Sequence, residues 1–521
     1  MKHSSKLLIA AIIAVASCKK NDNNSLTPEP EFFVNEDPAT FAEIGKLKVG
    51  GAAAAEISAY DSITQRLFVV NNEGTDGAVN RIDVVDLKNP ANPAFIRSIS
   101  MAPYGGAVNS LSVHNSILAA AIQSTNKTDN GKVALLKTTD YSEIKSVTVG
   151  ALPDMVTISP DGKFIMTANE GEPNADYSID PKGSISIIEA ENNYAVTTLY
   201  FDGFASQATA LKAKGFRIFG PQINPDFASN IEPEYITISA DSKTAWVTLQ
   251  ENNAIAKVNI TGKAITDIFP LGFKDYSLAG NEIDPSDKDN GYKATTWNVK
   301  GIYMPDAIAV LEQNNIPYLF TANEGDAREY IDATEKEIFV EAKRIGSKNV
   351  ILDPTVFPNA ADLKKETALG RLNITTTLGD KDGDGDFDEL YSFGARSFSV
   401  WNGLTGAQVF DSKNELDVKV NEFGTYDDGR SDDKSVEPEG ITIGKVGKTN
   451  VAFVGMERVD AVAMYDITNP QNPRFLQLVK TGDAPEGVLF VPARMSPTKK
   501  SLLIVSSEGD GMVTIYTPKT I

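Results

Sequence analysis

Residues 435–443 read SVEPEGITI and residues 483–490 read DAPEGVLF, and this repeated pattern decides the fold. In both stretches a proline precedes a glutamate and a glycine, and the apolar alternation that follows is typical of a β-strand. Aligning the chain on the acid and on that alternation recovers seven copies. Their first polar residues are Glu56, Asn109, Asp154, Glu234, Asp306, Glu439 and Glu486.

Each copy is followed by a predicted second strand and a predicted third strand with the same alternation. The copies are spaced by 45 to 133 residues. The short spacings match one blade of a β-propeller, at about 40–50 residues, and the long ones indicate insertions. We therefore predict an all-β fold, a seven-bladed β-propeller with long insertions in blades 3 to 5.

The second strand of six copies also ends in an acid, and Gln123 takes that place in the second copy. These acids are Glu73, Glu170, Glu251, Glu324, Glu457 and Glu508. In a propeller the first strand of each blade lies along the central channel, where a starting proline is tolerated because that residue can lack a ladder donor. We expect the first acid to lie at the channel mouth and the glycine after it to let neighbouring strands approach. With both acids at one end, up to a dozen carboxylates would surround one mouth.

Two interpretations of this carboxylate ring stay open. In the first, the acids pair with basic residues and serve the structure alone. In the second, they bind a hard cation, Ca²⁺ or Mg²⁺, through oxygen ligands. The channel ligands would then include Glu170, Glu324 and Glu508.

A cation at the mouth would also permit hydrolysis of a phosphate ester by water. The carboxylates that are candidates for catalysis are Glu234, Asp306, Glu439 and Glu486. The arginines that are candidates for holding the phosphate are Arg328, Arg396 and Arg430, and Lys434 and Arg458 are further bases that can pair with the acids.

Residues 380–390, DKDGDGDFDEL, resemble part of a calcium-binding EF-hand loop. Asp380, Asp382 and Asp384 occupy its positions one, three and five, and Gly385 occupies position six. The main-chain oxygen of Asp386 and the side chain of Asp388 fall at positions seven and nine. Tyr391 replaces the bidentate glutamate of position twelve, so the loop is not a full EF-hand. We predict Ca²⁺ binding there, with an exposed acidic turn as the alternative. A weaker acidic turn, DPSDKDNG at residues 284–291, has a similar predicted role.

Composition excludes several kinds of chemistry. The chain has two histidines, His3 and His114, and one cysteine, Cys18. A histidine-rich zinc site and a disulfide within the chain are therefore excluded. The 49 basic and 70 acidic residues give a net charge of −21, which disfavours nucleic acid as a partner.

The N-terminal residues MKHSSKLLIAAIIAVASC are typical of a bacterial lipoprotein signal. We predict a signal peptide over residues 1–17, acylation of Cys18, a flexible tether over residues 18–40 and the propeller over residues 41–518. The alternative is an ordinary signal peptide with an incidental cysteine. The expected location is the cell envelope, anchored by lipid to the outer membrane on its periplasmic face or at the cell surface, with the membrane as a partner.

Several long motifs resemble those of the choice-of-anchor I family of bacterial surface proteins. They are TANEGEPN, DPSDKDNG with GIYMPDAIAV, TANEGDAREY, FGARSFSVWN, RSDDKSVEPEGITI and DAPEGVLFVP. The resemblance covers roughly residues 41–518, and the family is similar to mesenchyme-specific cell-surface glycoproteins of biomineralising animals. It implies a secreted β-propeller, often described as alkaline-phosphatase-like, with a calcium or mineral connection in the animal relatives. β-Propeller phytases, more distantly, use an acidic, calcium-loaded channel mouth.

Two functions are expected from these features. The first is a calcium-binding surface module for binding or adhesion, with extracellular matrix, mineral or a phosphorylated ligand as partner. The second is a Ca²⁺-dependent, alkaline-phosphatase-like or phytase-like phosphohydrolase, in which case the enzyme would be a metal-dependent phosphoric ester hydrolase.

Overall fold

The computed structural model describes residues 32–74, 79–221 and 226–521. The predicted signal peptide, Cys18 and most of the predicted tether therefore lie outside the described residues. Residues 34–521 form one unit by their internal contacts. Within the described ranges, no helix is both long enough and apolar enough to cross a membrane.

Seven four-stranded antiparallel sheets account for most of the described chain, and we number them sheet 1 to sheet 7 in chain order. Sheet 1 comprises Ala54–Asp61, Arg66–Asn71, Arg81–Asp86 and Ala94–Ser100. Sheet 2 comprises Val108–His114, Ile117–Ile122, Asn130–Lys137 and Glu143–Ala151. Sheet 3 comprises Pro153–Ile158, Phe164–Asn169, Ser184–Glu189 and Ala195–Tyr200. Sheet 4 comprises Pro233–Ile238, Thr244–Leu249, Ala254–Asn259 and Ala264–Pro270.

The remaining three sheets follow the same order. Sheet 5 comprises Ile308–Gln313, Ile316–Ala322, Phe398–Asn402 and Gln408–Asp411. Sheet 6 comprises Pro438–Val446, Thr449–Met456, Ala461–Asp466 and Arg474–Lys480. Sheet 7 comprises Pro485–Val491, Leu502–Ser507, Met512–Thr520 and, from the other end of the chain, Glu36–Lys48. The predicted first, second and third strands of all seven copies are confirmed.

The long connections follow sheets 3 and 4 and interrupt sheet 5 between its second and third strands. They contain a five-stranded sheet of Phe273–Asp275, Lys300–Ile302, Tyr391–Ser392, Asn373–Thr375 and Ala342–Arg344. A two-stranded sheet pairs Glu329–Ile331 with Glu337–Val340. The α-helices of the described residues are Ala208–Lys212, Ala360–Leu363 and Glu415–Phe423.

The strand Glu36–Lys48 corrects the predicted boundary of the folded region. It pairs antiparallel with Met512–Thr520, so the folded chain begins five residues before residue 41 and its last strand ends after residue 518. Glu36 and Phe41 are its two buried side chains. The other side chains are more exposed, because this strand is the outermost of its sheet. It therefore lacks the apolar alternation that reveals the inner strands.

The first strands of the seven sheets form a closed series. Each contacts the first strand of the next sheet, and the first strand of sheet 7 contacts that of sheet 1. The arrangement is that of a β-propeller, in which closure protects the sheet edges. Glycine permits the close approach, as the sequence predicts: a Cβ atom on Gly440 would lie 2.4 Å from the main-chain oxygen of Glu486.

The hydrophobic core lies between neighbouring sheets. Phe68 of sheet 1 and Leu118 of sheet 2 share one buried cluster, and Phe453 of sheet 6 and Leu503 of sheet 7 share another. A further cluster joins sheet 7 back to sheet 1 through Leu67. Each fully buried side chain of this size contributes about 1.5–3 kcal/mol, so every sheet-to-sheet contact stabilises the ring.

Candidate functional site

Four of the first acids, Glu56, Asp154, Asp306 and Glu486, line one narrow cavity of about 50 Å³ on the axis of the ring. Six of the seven sheets contribute to its lining, and the residues just before the first strand of sheet 5 contribute as well. The polar residues of the lining are Glu56, Asn109, Ser110, Asp154, Tyr235, Asp306 and Glu486. Proline is the first strand residue at Pro153, Pro233, Pro438 and Pro485, so the acids that follow enter the channel at the same end.

A recurring backbone contact brings the second acid to that same end. Leu152, two residues before Asp154, has a left-handed backbone with φ of 46°. Its carbonyl accepts a hydrogen bond of 2.9 Å from the N–H of Glu170. The same contact recurs in sheets 6 and 7, from Glu457 to Glu437 and from Glu508 to Ala484. Non-glycine residues rarely adopt this conformation, so its repetition shows that the surrounding structure imposes it.

Burial and mutual repulsion keep the channel carboxylates from ionising readily. Burial, followed by the charges of Asp154 and Glu508, raises the pKa of Glu56 to about 8. Burial and the charge of Glu172 raise the pKa of Asp154 to about 7. Burial first and neighbouring acids second raise the pKa of six others well above the usual range, namely Glu170, Glu234, Glu251, Asp306, Glu439 and Glu486.

Two of these acids carry oxygen atoms that nothing in the described chain satisfies. Glu234 Oε2 and Glu439 Oε2 are enclosed and accept no hydrogen bond. Asp306, Glu324 and Glu439 each bring one carboxylate oxygen within 4.8 Å of the others. A buried acceptor is normally paired, and oxygen ligands at this separation fit a hard divalent cation.

Basic residues neutralise another part of the ring, between sheets 5 and 6. The buried Lys434 ammonium lies 3.0 Å from Glu324 Oε1 and 2.5 Å from Glu437 Oε1. Arg430 and Arg458 also contact Glu437. Burial opposes ionisation, but these three cations outweigh it and hold the pKa of Glu437 below its usual value. The sequence motif did not single out Glu437, because it lies before the proline and the first acid of the repeat.

Arg328 and Arg396 are held by groups of the protein itself. Arg328 Nε donates to Glu232 Oε2 at 2.9 Å, and its two terminal nitrogens donate to main-chain oxygens. Arg396 donates to the main-chain oxygens of Asp284 and Ser431, both at 2.8 Å. Both side chains are almost completely buried. Of the three predicted phosphate-binding arginines, Arg430 alone keeps a third of its side chain exposed, and it pairs with Asp433 and Glu437.

The loop of residues 380–388 brings together some of its predicted calcium ligands. Asp380, Asp382 and Asp388 place carboxylate oxygens within 4.8 Å of one another. Asp384 does not belong to that group, and its Oδ1 accepts the N–H of Asp386 at 3.1 Å.

Asp353 completes a second group with Asp386 and Asp388 in the same loop. A bridge between Leu352 and Phe387 holds it there, with the N–H of Asp353 donating to the oxygen of Phe387 at 3.1 Å. The sequence does not mark Asp353 as a ligand, because more than twenty residues of insertion separate it from the loop. No local spacing signals this contact.

The weaker acidic turn at residues 284–291 also acquires a distant acid. Asp284 and Asp289 place oxygens within 4.8 Å of one from Asp428. Asp289 Oδ1 and Asp428 Oδ1 are enclosed and accept no hydrogen bond. Asp284 is buried and accepts the N–H of Lys293 at 2.8 Å, which fixes the turn. These unsatisfied oxygens also fit a cation.

Comparison with known proteins identifies one matching family and two similar proteins. The model of the choice-of-anchor I domain matches residues 56–470. The mesenchyme-specific cell surface glycoprotein of Strongylocentrotus purpuratus is 25% identical over 346 residues, which cover 57% of this chain and 44% of that protein. Gigasin-3a of Magallana gigas is 26% identical over 188 residues, which cover 30% of this chain and 66% of that protein. The chain thus spans less than two thirds of the length of each relative.

Solved structures with a similar chain course include hydrazine synthase of Kuenenia stuttgartiensis. That likeness has a TM-score of 0.48 at 12% identity, covering 90% of this chain and 97% of the other. The WD40 domain of Toxoplasma gondii coronin has a TM-score of 0.47 at 8% identity, covering 94% of this chain and 89% of the other.

Proposed function

The chain belongs to the choice-of-anchor I domain family, and we propose that it is a lipid-anchored propeller of the cell envelope that binds Ca²⁺ and acts as a surface binding or adhesion module. We propose seven blades, one for each four-stranded sheet of the described chain. The closed contacts of the first strands support this number, because sheet 7 meets sheet 1 without a gap.

The observation that carries calcium binding is the group of Asp306, Glu324 and Glu439 in the channel. The enclosed Oε2 atom of Glu439 accepts no hydrogen bond. Such an atom costs roughly 1–3 kcal/mol if it stays unsatisfied, and more when the group is charged. A bound cation would supply the missing partner and would let the neighbouring acids ionise. Ca²⁺ suits a site built from carboxylates on separate strands because it accepts irregular geometry, whereas Mg²⁺ demands a near-ideal octahedron.

Two further groups would bind Ca²⁺ in a structural role. One is the loop of residues 380–388 with Asp353, and the other joins Asp284 and Asp289 to Asp428. Both tie an insertion to a segment distant in sequence. A cation there would hold the insertions in place around the channel mouth.

The anchoring part of the proposal depends on the N-terminal sequence. Cys18 would carry the lipid and attach the protein to the outer membrane, on its periplasmic face or at the cell surface. A relative named as a cell surface glycoprotein supports an extracytoplasmic location. Matrix, mineral or a phosphorylated ligand is the proposed partner, since bound Ca²⁺ can bridge carboxylates of the protein to an anion.

Calorimetric titration of Ca²⁺ into the mature chain, with Cys18→Ser to keep it soluble, tests the metal proposal. We expect more than one class of site, one of which is lost in Glu439→Gln and another in Asp388→Asn. A titration with Mg²⁺ should show weaker binding. Absence of any calcium heat, together with an unchanged melting temperature, would contradict the proposal.

We favour the binding role over hydrolysis because Arg328 and Arg396 are saturated by buried protein partners. The hydrolase that we considered from the sequence would hold the phosphate with a guanidinium beside a cation at the same mouth. Turnover of a chromogenic phosphomonoester distinguishes the two roles. Calcium-dependent hydrolysis that is lost in Glu439→Gln would establish the phosphohydrolase instead.

A further inference from the structure

The N-terminal strand shows from which face of the propeller the chain enters the folded unit. In sheet 7, Lys48 pairs with Met512, Met512 pairs with Ser507 and Ser507 pairs with Pro485. Pro485 precedes the channel acid Glu486, so the end of the N-terminal strand at Lys48 lies at the acidic mouth. The strand begins at Glu36, which pairs with Thr520. Its start therefore lies at the opposite end of the sheet.

Side-chain contacts of Glu36 confirm that position. Glu36 is buried, and its two carboxylate oxygens accept the N–H and the hydroxyl of Ser501 at 2.8 and 2.6 Å. Ser501 precedes the second strand of sheet 7, at the end away from Glu508. A Cβ on Gly447 would lie 2.7 Å from the oxygen of Glu36, and Gly447 follows the end of the strand that starts at Pro438.

From these contacts we infer that the acidic channel mouth opens on the face turned away from the membrane anchor. The inference rests on the proposed acylation of Cys18. The faces are separated by a strand length of roughly 20 Å, at about 3.3 Å per residue. A cation held at the mouth is then presented to ligands beyond the membrane surface, and the anchor emerges where it does not obstruct them.

The length of the connection limits the distance of the folded unit from the bilayer, and the charge of the mouth favours this orientation. Residues 18–34 can span at most about 55 Å when fully extended, so the folded unit stays close to the bilayer. The concentrated acids of the mouth would be repelled by anionic headgroups. An orientation with the mouth facing the lipid is therefore electrostatically unfavourable unless a cation bridges the acids and the headgroups.

Fluorescence resonance energy transfer from the protein to the membrane tests the orientation. The full lipidated chain is reconstituted in vesicles whose lipid headgroups carry acceptor dyes. Cys18 is acylated and is the sole native cysteine, so an introduced thiol is labelled uniquely. Lys127→Cys places a donor dye in the turn after the second strand of sheet 2, at the mouth. Lys243→Cys places it in the turn after the first strand of sheet 4, on the other face. Both positions are exposed lysines, so the charge change is matched.

We expect higher transfer efficiency from position 243 than from position 127, by on the order of twofold for a height difference of roughly 20 Å. A second pair of variants that also lack residues 21–31 should show a larger difference, because the shorter connection restricts tumbling. Equal transfer, or higher transfer from position 127, would overturn the orientation and leave the anchor intact. Failure of the chain to associate with vesicles would overturn the anchor and the orientation together.

Discussion

Gly487 packs against the main-chain oxygen of Glu56 so closely that a Cβ atom on the glycine would lie 2.5 Å from that oxygen. This contact joins sheet 7 to sheet 1 and therefore closes the ring. Both residues belong to the repeated motif, so one short pattern supplies a channel acid and the space in which the neighbouring acid-bearing strand fits.

Replacing Gly487 by alanine should weaken closure of the ring. Overpacking against main chain cannot be relieved by a change of rotamer, so we expect a loss of about 1–3 kcal/mol in the free energy of unfolding. Gly203→Ala is the matched control, because no atom lies within 4 Å of its added Cβ. Chemical denaturation of both variants measures the difference. Equal stability of the two would show that the ring tolerates the displacement.

Stability without calcium should fall as pH rises. The folded-state pKa of Glu56 is about 8 and that of Asp154 about 7, against ordinary values of 4.5 and 3.8. The folded chain therefore binds more protons than the unfolded chain between about pH 4 and pH 8. Its free energy of unfolding should drop by about 1.4 kcal/mol per pH unit for each retained proton.

Melting curves in chelator from pH 4 to pH 9 measure this dependence. Glu56→Gln should flatten it, because the amide does not titrate. Saturating Ca²⁺ should reverse the trend, since a cation binds the ionised form and its affinity rises with pH. A melting temperature that rises with pH in chelator would argue against buried, mutually repelling acids.

Neutralising Asp353 or Asp388 should weaken the calcium binding that we propose for the insertion loop. Asp388 belongs to both carboxylate groups of the loop, so Asp388→Asn should have the larger effect. Asp353→Asn should weaken binding although it lies outside the DKDGDGDFDEL motif. Calorimetry measures both, with Asp140→Asn, an exposed turn acid, as the control. Unchanged affinity in Asp353→Asn would restrict the site to residues 380–388.

Neutralising Glu232 should destabilise the fold more strongly than neutralising an exposed acid. Glu232→Gln leaves the Arg328 guanidinium buried without its carboxylate, for which we expect a loss of about 3–5 kcal/mol. Asp362→Asn removes the exposed partner of Lys365 and should cost much less, because solvent screens the interaction of an exposed pair. The side chains of that pair are 72% and 64% exposed. Denaturant titration compares the two, and similar losses would show that Arg328 is satisfied by its main-chain acceptors alone.

The inner part of the fold could be predicted because its signal is local and repeated. Strands such as Pro438–Val446 carry both the acid and the apolar alternation, and they recur often enough to reveal the ring. The strand Glu36–Lys48 escaped prediction because it is the outermost strand of its sheet and buries few side chains. Its place is set by pairing with residues at the far end of the chain.

The candidate site could likewise be predicted only where its residues belong to the repeat. The repeat identifies Asp306, Glu324 and Glu439, which the fold brings together. Asp353 and Asp428 join their groups through insertions that follow no repeat, so nothing in their local sequence marks them. The partners of Arg328 were missed for a similar reason, since Glu232 is identified only by a contact across the sequence.

Sheet 7 combines Glu36–Lys48 with three strands that lie between residues 485 and 520, so this sheet cannot be completed until Met512–Thr520 has been synthesised. The strand Glu36–Lys48 stays unpaired while sheets 1 to 6 are synthesised. Such long-range pairing folds slowly. Removing Glu36–Lys48 and removing Met512–Thr520 therefore damage the same sheet, and a chain synthesised only as far as sheet 6 has no closed ring with which to hold a ligand.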